Sequence, residues 1–185
     1  MKRLLLGLSA VFLAGCSIFP KPDTTAVNFF DIQPTQNIAS QGPPSKVMVL
    51  TFQSESTYGS RMVFKTSDHQ MKFDEFNRWA APPDEMVKNL LTAYLSGSKE
   101  QAGPPTLSIE GDVLKFYCDL PNKNVNITIA VIVREYPSQK IVWSEVFSRN
   151  VKIEQETAGD FAAAASKGTV EIAEAVKNRL ATSKQ

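Results

Sequence analysis

Between Val125 and Arg134 the chain reads VNITIAVIVR, in which Val125, Ile127, Ile129, Val131 and Val133 alternate with Asn126, Thr128 and Ala130. Alternation with a period of two puts every branched apolar side chain on one face of an extended strand and leaves the opposite face polar or small. A strand of this kind must bury one face against another layer, and it needs neighbours to pair with. The flanking segments supply them. Thr106–Leu120 carries Leu107 and Ile109 in one register and Leu114, Phe116, Cys118 and Leu120 in the other, with Gly111 a candidate bulge where the register changes. Ile141–Val151 alternates less cleanly, with Ile141, Trp143, Glu145 and Phe147 against Val142, Ser144 and Val146. The connections PNKN and YPSQK are short and turn-like, so the three segments are predicted to form an antiparallel meander.

The covering layer is predicted to be helical. In NRWAAPPDEMVKNLLTAYLSGS, Pro82 and Pro83 suit a helix start, because their missing N–H donors would be unpaired there anyway. Asp84 and Glu85 complement the positive end of the dipole, Met86, Val87, Leu90, Leu91 and Tyr94 share one face, and Gly97 is placed to terminate the helix. A second helix is expected from about Ala158 to Leu180, opened by Thr157 and Asp160, with Phe161, Ala164, Ala165, Gly168, Ile172, Ala175, Val176 and Leu180 as its stripe. Further strands are expected at Val27–Ile32 and Lys46–Phe52, the latter apolar on both faces and so assigned to the inside of the sheet. Arg61–Lys65 and Gln70–Phe73 flank TSDH and read as a hairpin. The expected fold class is α+β: a largely antiparallel sheet with two amphipathic helices packed on one face, in a single domain.

At the amino terminus Lys2 and Arg3 precede an apolar run, Leu4 to Leu13, that closes on Leu13-Ala14-Gly15-Cys16. The run has the length of a secretory signal and is too short to span a bilayer, which takes about 20 apolar residues. Small residues before a cysteine fit a bacterial lipobox, in which the thiol accepts diacylglycerol and cleavage before Cys16 leaves an acylated terminus. Residues 1–15 are therefore expected to be a lipoprotein signal peptide, 16–25 a lipidated tether rich in Pro, Lys, Asp and Thr, and 26–185 the domain. One acyl chain holds a protein only marginally and two or more hold it stably, so the chain is expected to be anchored to a membrane rather than to cross it.

Composition narrows the function classes. Loss of Lys2 and Arg3 leaves 18 basic side chains against 19 acidic ones, a balance that argues against nucleic acid and against a polybasic grip on anionic lipid. With Cys16 acylated, Cys118 is left without a disulfide partner in the monomer, and its alternation with Phe116 and Leu120 makes it a buried small hydrophobe. His69, the single histidine, falls beside Asp68 in the hairpin turn and reads as an exposed turn residue. One histidine and one buried thiol do not make a zinc site. No calcium loop, G-x-S-x-G, P-loop or dinucleotide fingerprint is present, and no cofactor or catalytic residue is expected. A protein whose work is binding and position remains.

The most distinctive stretch left is FDEFNRWAAPPDEM, where Phe73, Phe76 and Trp79 recur every third residue before the double proline. Two readings stand: a hydrophobic staple that fixes the entry of the helix, and a partly exposed aromatic ridge that meets a protein partner or an acyl chain. Under the second, Phe76, Trp79, Pro82 and Pro83 are the candidate contact residues.

The lipobox, the aromatic strand NFFDIQP, the strand SRMVFK, Trp79 followed by Pro82-Pro83 and an amphipathic helix, then long strands and a terminal helix together resemble the ABC-type transport auxiliary lipoproteins, also called paraquat-inducible protein C-like or membrane-integrity-associated transporter subunits. Phe29-Phe30 and Phe64 stand where relatives often carry tyrosine. The resemblance implies a non-enzymatic component of an intermembrane lipid transport system, working beside a permease, an ATPase and a periplasmic protein with mammalian-cell-entry (MCE) domains. It implies docking of that MCE-domain protein at the outer membrane, with direct phospholipid contact and homo-oligomer formation left open. Ser17 after the cysteine, in place of the aspartate that retains lipoproteins in the inner membrane, implies outer-membrane sorting facing the periplasm. The alternative is a stand-alone lipid- or peptide-binding lipoprotein that acts as an assembly chaperone.

Overall fold

The computed structural model describes residues 26–33, 46–54, 59–95 and 103–182. Cys16, its apolar leader, the tether before Ala26 and the predicted helix stop at Gly97 lie outside the described residues. Seven strands and two helices follow one another as β1 (Asn28–Phe30), β2 (Val47–Ser54), β3 (Arg61–Ser67), β4 (Gln70–Trp79), α1 (Pro83–Leu95), β5 (Leu107–Asp119), β6 (Asn124–Glu135), β7 (Ile141–Lys152) and α2 (Ala158–Thr182).

The strands form one sheet in the order β1-β4-β3-β5-β6-β7, with β2 also paired to β5. The meander β5-β6-β7 is antiparallel and carries the longest ladders, as the alternation predicts. β3 and β4 are an antiparallel hairpin turning at Asp68 and His69. Three parallel pairings complete the sheet, β1 with β4, β2 with the first half of β5, and β3 with its end. One edge of β5 therefore serves two strands in succession. It slips register at Leu114, between Val113 and Lys115, where it leaves β2 and before it reaches β3.

Two expectations change here. The β5/β6 ladder passes Gly111 in step, so the bulge in β5 falls at Leu114 instead. Gly111 has a different reason to lack a side chain: a Cβ there would stand 2.0 Å from the Ala130 carbonyl oxygen and 2.8 Å from the Phe52 ring. The extra residue at this level belongs to β2, which slips between Val49 and Phe52. β2 is also not an interior strand, because it pairs with β5 alone. α1 packs chiefly against its core face, where Val47, Val49 and Phe52 join the hydrophobic cluster.

Both helices lie on the face of the sheet that carries Val125, Ile127, Ile129, Val131 and Val133 of β6, all five fully buried. α1 buries Pro83, Met86, Val87, Leu90, Leu91 and Leu95. The Pro82 carbonyl accepts the Met86 N–H at 3.0 Å, making Pro82 the cap and Pro83 the first helical residue, and Ser54 donates to Asp84 in the first turn at 2.7 Å. α2 begins where Thr157 Oγ1 accepts the Asp160 N–H at 3.1 Å. Its small residues let it approach closely: a Cβ on Gly168 would meet Ile127 Cδ1 at 2.5 Å. Such a Cβ would press on the end of a side chain, whereas at Gly111 it would meet backbone.

Candidate functional site

Trp79 ends β4, where its N–H donates to Ser60 O at 2.7 Å and the next amide, of Ala80, donates to Phe30 O at 2.7 Å. Its indole is fully buried and meets Phe116 and Phe161 edge to face, at 5.3 and 5.0 Å between ring centroids. Pro83 is buried too, and Pro82 is half-buried at the mouth of α1. Trp79 and Pro83 are thus enclosed, and the rings that Trp79 meets belong to β5 and α2 rather than to the first turn of α1 expected of a staple. β4 resumes its pairing at Arg78, and Trp79, the next residue, falls on the helix side of the sheet. Phe76 alone of the four residues is exposed.

Phe76 is thrown outward by a local loop in β4. Arg61 pairs with Arg78, but Val63 pairs with Phe73, so extra residues are taken up between them on the β4 side. Asp74 closes this excursion, accepting the N–H groups of Phe76 and Asn77, both at 2.8 Å, and the Asn77 side-chain amide at 2.9 Å. Burial alone would raise the Asp74 carboxyl, yet those donors outweigh it and hold its pKa below the ordinary carboxylate value.

No described helix lies on the opposite face of the sheet. Its character changes from edge to edge. Across its centre run Lys115, Asn126, Thr128, Ser148 and Asn150, with Thr128 and Ser148 hydrogen-bonded across the strands at 3.1 Å. Toward the start of β7 the face carries exposed apolar side chains beside the Arg134–Glu110 ion pair, 2.7 Å long: Val146 is 57% exposed and Ile141 54%, with Val142 and Tyr136 also exposed and Ile132 half-buried. β7 is the sheet edge here. Two of its charged side chains turn to the helix side, Arg149 to Glu171 at 3.2 Å and Glu145 to Arg179 at 3.4 Å. The apolar positions Val142 and Val146 are left facing outward, and a concentration of exposed apolar side chains at one edge is the mark of an interaction surface.

At the other edge, β1 and β4 carry a second exposed group, Val27, Phe29, Met71, Phe73 and Phe76. Arg61 lies over the Phe73 ring at 4.0 Å, and Arg78 stands beside Phe29 in register.

Asp119 is buried at the β5–β6 turn, where it accepts from Asn122 N at 3.2 Å and from Lys65 Nζ at 3.3 Å. Burial pushes its carboxyl up, but the Asn122 donors and Lys65 together bring the pKa below the ordinary value. The Cys118 thiol is buried, and desolvation, with smaller contributions from Glu156 and Asp119, pushes its pKa to about 11. Such a thiol is packing, as its place in the alternation predicts. A half-open cleft of about 270 Å³ lies between the end of β1 and α1, lined among others by Asp31, Ile32, Met86 and Leu90. No described helix is long and apolar enough to cross a membrane.

The family model for the ABC-type transport auxiliary lipoprotein component matches residues 55–177. The intermembrane transport lipoprotein PqiC of Escherichia coli K12 is 31% identical over 100 residues, which cover 52% of this chain and 51% of that protein. The protein of the same name from Shigella flexneri matches to the same extent. The chain thus aligns with about half the length of these curated relatives. In three dimensions it is similar to protein XCC0632 of Xanthomonas campestris, with a TM-score of 0.70 at 18% identity over 86% of this chain and 98% of that one. A second crystal structure, of an uncharacterized protein, gives 0.67 at 14% identity over 84% and 99%. At such identities the likeness speaks for the fold.

Proposed function

Because the chain belongs to the ABC-type transport auxiliary lipoprotein family, we propose that it is a non-enzymatic docking module. It is held by acyl chains on Cys16 to the periplasmic leaflet of the outer membrane, and it receives the periplasmic MCE-domain protein of an ABC-type transport system there. The observation that carries this reading is the uncovered sheet face, which presents Val142, Val146 and Ile141 at the open edge of β7. An edge strand with unpaired backbone groups and exposed apolar side chains can take a partner by strand addition or by face-to-face burial. Glu145 and Arg149 of β7 are turned away to α2, which leaves Val142 and Val146 outward between them.

Lipid would pass by this module without covalent chemistry. The acylated terminus supplies position and the β7 face supplies the contact. The alternative, a stand-alone lipid- or peptide-binding carrier, would instead hold its ligand in an enclosed volume.

Co-purification tests the reading. The full chain, expressed at its native level and solubilised from membranes, is expected to bring down the MCE-domain protein, and Val146→Asp is expected to lose most of it while remaining folded. Failure of the unaltered chain to bring down any MCE-domain protein removes the docking role.

A further inference from the structure

We propose that the MCE-domain protein is taken up by strand addition: an extended, uncharged segment of it pairs with the open edge of β7 and continues the sheet. The inference rests on the docking reading above. It names the bond that holds the partner, backbone amide to backbone carbonyl, where that reading leaves open whether edge or face is used.

The phase of the β6–β7 ladder decides which amides face the open edge. At both of its ends an odd-numbered residue of β6 bonds toward β7: Lys123 O accepts from Ile153 N at 3.0 Å, and Glu135 N donates to Lys140 O at 2.8 Å. The register between them pairs odd with odd, from Val125 with Val151 to Val133 with Trp143. In an antiparallel ladder residues that bond to the neighbour alternate with residues whose N–H and C=O point the other way. Ser144, Val146, Ser148 and Asn150 therefore turn their amides outward, and among the described strands none lies beyond them.

Sheet edges are ordinarily blunted by short strands, bulges, proline or outward charge. The opposite edge of this sheet follows that rule, since β1 is three residues long and the Asp74 loop breaks β4 beyond it. β2, which pairs with β5 alone, is broken between Val49 and Phe52. β7 has none of these devices along its middle. It is twelve residues long, and its register runs unbroken from Trp143 to Lys152. Val142, Ser144, Val146, Ser148 and Asn150 are exposed and uncharged.

The chemistry of the edge selects its occupant. Glu145 and Arg149 already have counter-charges on α2, at 3.4 and 3.2 Å, so a charged segment would find no free partner in either of them. An apolar side chain on the uncovered side of an added strand would lie against Val146. On the helix side the core layer is slightly open at this edge: Trp143 and Phe147 keep 7% and 8% exposure, while Val133 and Ile129 opposite them on β6 are fully buried. A segment of about five residues with alternating apolar side chains fits both sides.

Proline at an outward amide tests the bond. Ser144→Pro removes an N–H that makes no bond to β6, and the ring projects toward the open edge, where proline is tolerated in a sheet. Ser144→Ala keeps the N–H. In the acylated full chain, expressed at its native level and solubilised from membranes, Ser144→Ala is expected to bring down as much MCE-domain protein as the unaltered chain. Ser144→Pro, folded by circular dichroism, should bring down about tenfold less, the cost of one lost hydrogen bond. Residue-resolved amide exchange on the unaltered chain gives a reading that needs no variant. Ser144, Val146 and Ser148 should slow by about tenfold or more in the purified complex, while Glu145 and Phe147, bonded to β6, change little. Undiminished capture by folded Ser144→Pro, equal loss in both variants, or unchanged exchange at Val146 in the complex overturns strand addition and leaves docking in place. Slowing at these amides in the isolated chain that grows with its concentration gives the edge to a second copy and overturns the proposal equally. Failure of the unaltered chain to bring down any MCE-domain protein removes docking and strand addition together.

Discussion

The indole of Trp79 meets the ring of Phe161 edge to face, 5.0 Å between centroids, and so joins the last residue of β4 to the first turn of α2. With Phe116 on its other side, Trp79 ties the sheet to the covering layer at the point where the chain turns into α1.

Truncation at this junction should be costly. Trp79→Ala is expected to lose about 3–5 kcal/mol of unfolding free energy. Trp79→Phe should lose far less, because the indole Nε1 is enclosed without a hydrogen-bond partner and phenylalanine carries no such donor. Urea midpoints for the two variants, compared at constant slope, check the pair.

Two glycines should respond differently to the same added methyl group. Gly111→Ala sets a Cβ against the Ala130 carbonyl oxygen, a backbone atom that cannot step aside, and is expected to cost about 1–3 kcal/mol. Gly168→Ala meets the end of the Ile127 side chain and gains helix propensity of about 1 kcal/mol, so its net effect should stay within about 1 kcal/mol of zero. Thermal melts of both variants decide this.

Acid should act through Asp119. Its folded pKa lies below the ordinary carboxylate value, so its contribution is complete above the unfolded pKa of about 4 and fades as pH falls through the lower folded value. Lys65 has the opposite sign: its pKa is raised by hydrogen bonds to Asp68 and Asp119, and its contribution fades only as pH climbs past about 10.4. Stability should be flat between these limits. Asp119→Asn should lose about 1 kcal/mol near neutrality and show a shallower decline below pH 4, read from denaturant titrations at stepped pH.

Release from the membrane should follow loss of one sulfur. Cys16→Ser is expected to move the protein from the outer-membrane fraction to the soluble periplasmic fraction and to abolish its envelope function, with the domain still folded by circular dichroism. A soluble variant that preserves envelope integrity would separate function from anchoring.

Much of this architecture is legible in local pattern. β6 declares itself by five alternating branched residues, and α1 by Pro82-Pro83 followed by an apolar stripe. What sequence does not show is pairing between distant segments. Nothing local says that β2 and β3 run parallel to β5 along the same edge, since their register depends on contacts remote in the chain. β2 reads as interior because both its faces are apolar, although among the described strands it pairs with β5 alone and α1 covers one of those faces. β4 reads as ending at Phe73 because the Asp74 loop interrupts its alternation, and this hides the strand that turns Trp79 inward. The uncovered face leaves a trace in Val142 and Val146, which look like ordinary alternation until the helices are seen to cover only the other side. The like-charged Arg61–Arg78 pairing leaves none, because the two residues lie in separate strands brought opposite each other only by the hairpin.

Site-specific photo-crosslinking in intact cells at native expression tests the docking claim most directly. A photoreactive residue replacing Val146, on the uncovered face, should capture the MCE-domain protein, while the same residue replacing Ala163, exposed on α2, should not. Capture from Ala163 with none from Val146 would contradict the assignment of the partner to the β7 face.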